Sequence, residues 1–420
     1  MPPRLAVCKM TKTMRSNLYG NILAVGAVLI FYSQAFAVPQ LFLGIDTIQV
    51  WHWIVGFAVL ALPIIFFQIT RGDAISAPLV AWCFGSIWIT VAWVFVAVNS
   101  DLAWQEVRLR LLMAIYLLSL FAILCDPIAN RMARKTIAVV VMLVAVINVY
   151  ELFSPFPFNQ GTSGRSAAFY GNPNDDGFAL VLGMVLSASV MMPTLRAPFM
   201  ALIGVGVFVT FSRSSTIEWL IAVIGLMITG KVRGKHVAMT CGVCIVAVML
   251  FLIPRWDELL TTWERSGVMS KTVLERLEWF GDPTGVSDTS SWERKLVARR
   301  AWEQVGNNPI IGNGPGSYRG AYVGAHNQYL AFMQDYGVTG ALIVPALLTA
   351  IIWRARGEER SIAMLLVCVA GLQGFFTHNL LEMPYLLLGF ALMAGLCEVT
   401  KKETVGVSCG GLPETSAAQL

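Results

Sequence analysis

Charge is scarce in this sequence. Of 420 residues, 30 are Lys or Arg and 25 are Asp or Glu, 13% together, where soluble domains carry roughly 25%. That excludes a string of soluble domains, which the length alone would allow. Histidine is rarer still, with four in the chain, and there is neither a D-x-D motif nor a spaced His/Cys/Asp cluster. No metal site is therefore expected. The Gly-rich run after Gly312 lacks the Gly-Lys-Ser/Thr ending of a phosphate loop and has no strand before it, which argues against nucleotide binding.

What the chain has instead is apolar length. Hydrophobic residues make up 56% and the mean hydropathy is +0.67. Crossing a bilayer takes about 20 apolar residues, and about twelve stretches approach that: 18–39, 48–70, 74–98, 110–125, 136–153, 177–195, 197–212, 214–230, 236–254, 334–353, 361–378 and 383–398. The expectation is an all-α polytopic membrane protein. Its layout would be nine passes over 1–254, an outside loop over 255–333, three passes over 334–398 and a tail over 399–420. The first run is too long for a cleavable signal peptide and lacks a small-residue cleavage site.

Lys and Arg set the orientation. With the N-terminus in the cytoplasm, every inside connection carries positive charge, from Arg4, Lys9, Lys12 and Arg15 through Arg71, Arg131, Arg134 and Lys135 to Lys401 and Lys402. Both termini are then cytoplasmic. The net charge of +5 is a topology signal and gives no reason to expect nucleic acid. None of the eight cysteines falls in an outside loop, so a disulfide framework is not expected. Cys241 and Cys244, spaced like a redox pair, read as small residues at a helix contact.

The long loop shows helical spacing at Trp256, Leu259, Leu260 and Trp263, at Val273, Leu277 and Phe280, and at Leu296, Val297, Ala301 and Val305. Such amphipathic helices suit a membrane surface. "GDPTGVSDTSS" between them reads as loop. No internal repeat is visible, which counts against a carrier built from two similar halves.

The basic residues left on the outside need a reason. Arg108, Arg110, Arg165 and Arg213 fall in short outside turns, and Arg294, Lys295, Arg299 and Arg300 close the loop. Each has a plain reading: Arg165 as a solvated loop residue, Arg213 as a snorkelling one, Lys295 and Arg300 as the polar face of a helix. Glu218 reads as a site residue or as the buried partner of Arg213, and Asp175 and Asp176 as caps of the next helix. His326 ends the flexible run "GNGPGSYRGAYVGAHNQYL" beside Asn327 and on the same side as the arginines. His378 lies near the outer end of the eleventh pass. Together these parts suit release of a diphosphate: guanidinium groups bind phosphate oxygens bidentately and stay charged, and an imidazole accepts a proton near neutrality.

The pieces "FYGNPND", "TFSRSS", "ERKLVARRAWEQVGNNPIIGNGPGS" and "HNQYLAFMQDYGVTG", with the last two passes, resemble the O-antigen ligase family of Gram-negative bacteria. That family lies in a wider group with O-antigen polymerases and protein O-oligosaccharyltransferases. The resemblance implies a glycosyltransferase of the bacterial inner membrane. It would join O-antigen polysaccharide from undecaprenyl pyrophosphate to lipid A–core oligosaccharide at the periplasmic face, without metal, nucleotide or other cofactor. By motif position it implies His326 as catalytic base and Arg213 and Arg294 as substrate-binding residues, with Arg165 a weaker match; Arg299 and Asn327 are further substrate-binding candidates. In "QDYG", Asp335 stands where relatives often have Glu. The alternatives are an O-antigen or exopolysaccharide polymerase using the same residues, and a lipid-linked sugar carrier.

Overall fold

The computed structural model describes residues 18–44, 47–70, 77–153, 164–247, 249–250, 253–255, 258, 261, 263, 270–281, 289–320, 326–357 and 359–409. The basic N-terminal residues Arg4 to Arg15, Arg71, and the positions Trp256, Leu259 and Leu260 lie outside these residues. Among the described residues every regular element is helical.

A helix coincides with each of the twelve apolar stretches. In order they are α1 Leu18–Tyr32, α2 Val50–Thr70, α3 Ala77–Trp93, α4 Ser100–Leu124, α5 Pro127–Glu151, α6 Pro173–Ser187, α7 Arg196–Val209, α8 Arg213–Ile228 and α9 Gly234–Ala247. Two helices of the long loop follow, α10 Lys271–Gly281 and α11 Thr289–Asn307. The last three are α12 Gln328–Ile352, tightened to a 3-10 helix over Gly337–Leu342, α13 Glu359–Gln373 and α14 Pro384–Cys409. Five of them, α2, α3 (with its continuation to Val96), α4, α5 and α12, are long and apolar enough to cross a membrane. Thr289, Ser290 and Ser291, read as loop, open α11.

Caps move several boundaries outward from where hydropathy puts them. Asn99 accepts from the backbone N–H groups of Asp101 at 3.0 Å and Leu102 at 3.2 Å, so α4 starts at Ser100 and not near residue 110. Asp126 does the same for Ile128 and Ala129, with Pro127 at the first helical position. Arg110 is consequently not in an outside turn. It is buried on α4 and paired with Glu106 one turn earlier, at 2.8 Å.

Helix α6 lies at the centre, every residue but Asn174 buried, packed among α5, α7, α8 and α13. Gly183 leaves no space for a side chain between Val141 of α5 and Tyr32 of α1, the close helix approach typical of membrane interiors. The periphery is the reverse of a soluble protein's. Phe66, Trp88, Val139, Leu143 and Ile228 stand exposed on α2, α3, α5 and α8, apolar surface that only lipid covers well. Cys241 and Cys244 lie on α9 as expected, but exposed and not at a helix contact.

Candidate active site

Four arginines from four elements converge. Arg165 lies in the segment leading into α6. Its Nε donates to the Thr210 carbonyl at the end of α7 at 3.0 Å, and its Nη2 donates to Asn174 Oδ1 on α6, also at 3.0 Å. It is buried, and burial, with Arg276, Arg294 and Arg213 nearby, lowers its pKa to about 9. Arg213 is the first residue of α8, and Ser212 before it is extended. Arg294 stands on α11. Arg276, on α10, is buried and donates to the Phe211 carbonyl at 3.5 Å. So much like charge in one place suits a polyanion, because each guanidinium raises the cost of its neighbours until an anion offsets them.

His326 joins this cluster, half-buried and immediately before α12. Burial, His378 and Arg294 lower its pKa below the usual 6.5, which favours the neutral, proton-accepting imidazole. The His326 and His378 rings meet edge to face, with centroids 5.3 Å apart, and His378 in turn lies 6.2 Å from the Tyr318 ring. Burial also lowers the pKa of His378, opposed by Glu382 and aided by Arg319. Among the described residues, Gln34, Ala168, Phe211 and His326 are the non-glycine residues with positive φ. Two of the four, Phe211, which accepts from Arg276, and His326, belong to this site, where backbone strain tends to be held by its surroundings.

Behind the histidines runs a charge-balanced network. Arg319 reaches Glu106 at 3.0 Å and also pairs with Glu382, and the Tyr318 hydroxyl donates to Glu382 at 2.9 Å. Asp335 accepts from the Gly316 N–H at 3.0 Å and the Ser317 hydroxyl at 2.7 Å. This gives the Gly-rich run a different role from the flexibility its composition suggests. Gly312, Gly314 and Gly316 have φ of 77°, 88° and 78°, which L side chains rarely adopt. A side chain at Gly314 would strike Ala97, and one at Gly312 the Asp335 backbone. The glycines press the turn against α12 and the loop between α3 and α4.

The other expected residues separate. Arg299 is exposed and pairs with Glu303 at 3.3 Å. Asn327 caps α12, its Oδ1 accepting from Leu330 N–H at 3.1 Å. The cap of α6 is Asn172, not Asp175 or Asp176, while Asp176 accepts from Asn148 at 2.6 Å. Glu218 is fully buried, and neither carboxyl oxygen has a hydrogen bond, so it is not the hydrogen-bonded partner of Arg213. Arg276, Arg319 and His378 went unassigned from sequence. Arg276 hid on the polar face of an amphipathic helix, and Arg319 and His378 depend on contacts between distant segments.

The fold and this site together define an α-helical membrane protein with a cationic, histidine-bearing centre. Residues 198–345 match the family described as O-antigen ligase, a stretch that holds Arg213, Arg276, Arg294 and His326. No curated protein matches the chain.

Proposed function

We propose that the protein is a membrane glycosyltransferase that moves a polysaccharide from undecaprenyl pyrophosphate to lipid A–core oligosaccharide. The observation that carries this reading is the gathering of Arg213, Arg276 and Arg294 around Arg165, with Arg294 also beside His326. The donor's diphosphate sits among the guanidinium groups. His326 takes the proton of an acceptor hydroxyl, whose oxygen attacks the donor's anomeric carbon. The bond from that carbon to the phosphate oxygen breaks, and the lipid diphosphate leaves with its extra charge held by the arginines. Bond making and breaking balance with no ATP, because the diphosphate linkage stores the driving force.

The wider proposal places twelve passes in the bacterial inner membrane, the site on the periplasmic side and both termini in the cytoplasm. Arg299 and Asn327, apart from the cluster, belong to the flanking glycan path in this reading. The test is reconstitution of the full-length protein with lipid-pyrophosphate glycan and lipid A–core. Core-linked product supports the ligase. Longer lipid-linked glycan means a polymerase, and translocation with no new glycosidic bond means a carrier.

A further inference from the structure

A second polar feature lies away from the arginines. A cleft of about 390 Å³ opens between the start of α4, the end of α11 and the Gly-rich turn. Its polar lining is Asn99, Gln304, Asn307, Asn308, Asn313 and Ser317, and no charged residue lines it. Phosphate chemistry therefore has no place there. Side-chain amides donate and accept at once, which matches the hydroxyls of a neutral sugar. Val98 and Leu102 add an apolar wall for the C–H face of a ring.

Part of this polarity is already engaged in holding the cleft. The Asn308 amide donates to Asn313 Oδ1 at 2.7 Å, the Gln334 amide to Gln304 Oε1 at 2.6 Å, and Ser317 to Asp335 at 2.7 Å. The Gln304 amide nitrogen, the Asn308 oxygen and both polar ends of Asn307 are left to bond something else. These residues come largely from the "NNPIIGNG" stretch, which the transfer chemistry above does not use.

The cleft is also placed for a chain molecule. Arg294 and Asn307 are thirteen residues apart on α11, roughly 20 Å at about 1.5 Å per residue. Ser317 directly precedes Tyr318, whose ring neighbours His378 and through it His326. An oligosaccharide that presents one hydroxyl to His326 can rest a more distant sugar here. We infer that this amide-lined cleft is a glycan subsite that binds a neutral saccharide unit remote from the reacting bond; the source of that saccharide rests on the transferase reading. Binding energy from such a remote unit helps hold the reacting hydroxyl in place.

The test uses full-length protein in lipid nanodiscs and two probes, core oligosaccharide freed of lipid and O-polysaccharide freed of lipid. Binding is read by saturation-transfer NMR. Asn307→Trp, at an exposed position, fills the cleft, and Asn307→Gln keeps the amide. One probe should bind about tenfold or more weakly to Asn307→Trp, the equivalent of one or two hydrogen bonds, and nearly as well as to wild type with Asn307→Gln. The probe affected identifies acceptor or donor as the occupant. Equal binding of both probes by wild type and Asn307→Trp, or no binding by wild type, overturns the subsite. Saccharide binding lost in Asn307→Trp by a protein that makes no glycosidic bond sinks the transferase and leaves the subsite standing.

Discussion

His326 is the residue on which the proposed chemistry turns. His326→Ala should lower kcat by about 10²–10⁴-fold, the usual contribution of a positioned base, while protein level in the membrane stays unchanged. Near-normal turnover would remove it from the mechanism. Its pKa gives a second test. Burial, His378 and Arg294 all lower it, so the neutral base persists below pH 6.5. His378→Asn takes away one of these influences, the pKa rises, and the acid limb of kcat/KM moves to higher pH. An unmoved limb would mean that the ring contact at 5.3 Å does not tune the base. Among the proposed site residues, Arg213 drew notice in the sequence because charge at the outer edge of an apolar chain is costly and conspicuous, and Arg294 and His326 because of the motifs they stand in. Arg276 was not, since a basic residue on an amphipathic loop helix looks like a solvated one. Nor was the network of Glu106, Arg319 and Glu382, whose partners stand 213 and 63 residues apart and meet only in the fold.

Among the elements, the Gly-rich turn shows how composition misleads when geometry is missing. Glycines suggest freedom, yet here they fix a tight fold-back whose backbone N–H groups bond to Gln334 and Asp335. Gly314→Ala meets both a positive φ and the Ala97 backbone, so it should destabilise the protein by about 1–3 kcal/mol or more. Gly357→Ala also has a positive φ, of 57°, but has open space around it; its cost should stay near 1 kcal/mol. Thermal unfolding of both variants in detergent checks the contrast, and equal losses would show that packing at Gly314 is immaterial. The charge network makes a harsher prediction. Glu106→Gln leaves Arg110 and Arg319 with one carboxylate fewer in a buried place, a loss of about 3–5 kcal/mol. The same measurement reads it, and an unchanged melting point would show that the network does not hold the turn.

Across the whole molecule, the helical class follows from hydropathy, and what hydropathy misplaces is where the helices begin. Caps at Asn99, Asp126 and Asn172 start helices in polar sequence that a sliding window reads as loop. Orientation rests on a different physical signal, the bias of Lys and Arg, and it admits a direct test. In a cysteine-free background, Lys295→Cys on α11 and Arg356→Cys between α12 and α13 both place a thiol at an exposed position. The proposed topology puts the first outside and the second in the cytoplasm. A membrane-impermeant maleimide added to cells with a permeabilised outer membrane should label Lys295→Cys at once. It should reach Arg356→Cys only after the inner membrane is opened. The reverse pattern would put the arginines and His326 on the cytoplasmic side, where a lipid diphosphate glycan already flipped outward is out of reach, and the transferase proposal would fall with the orientation.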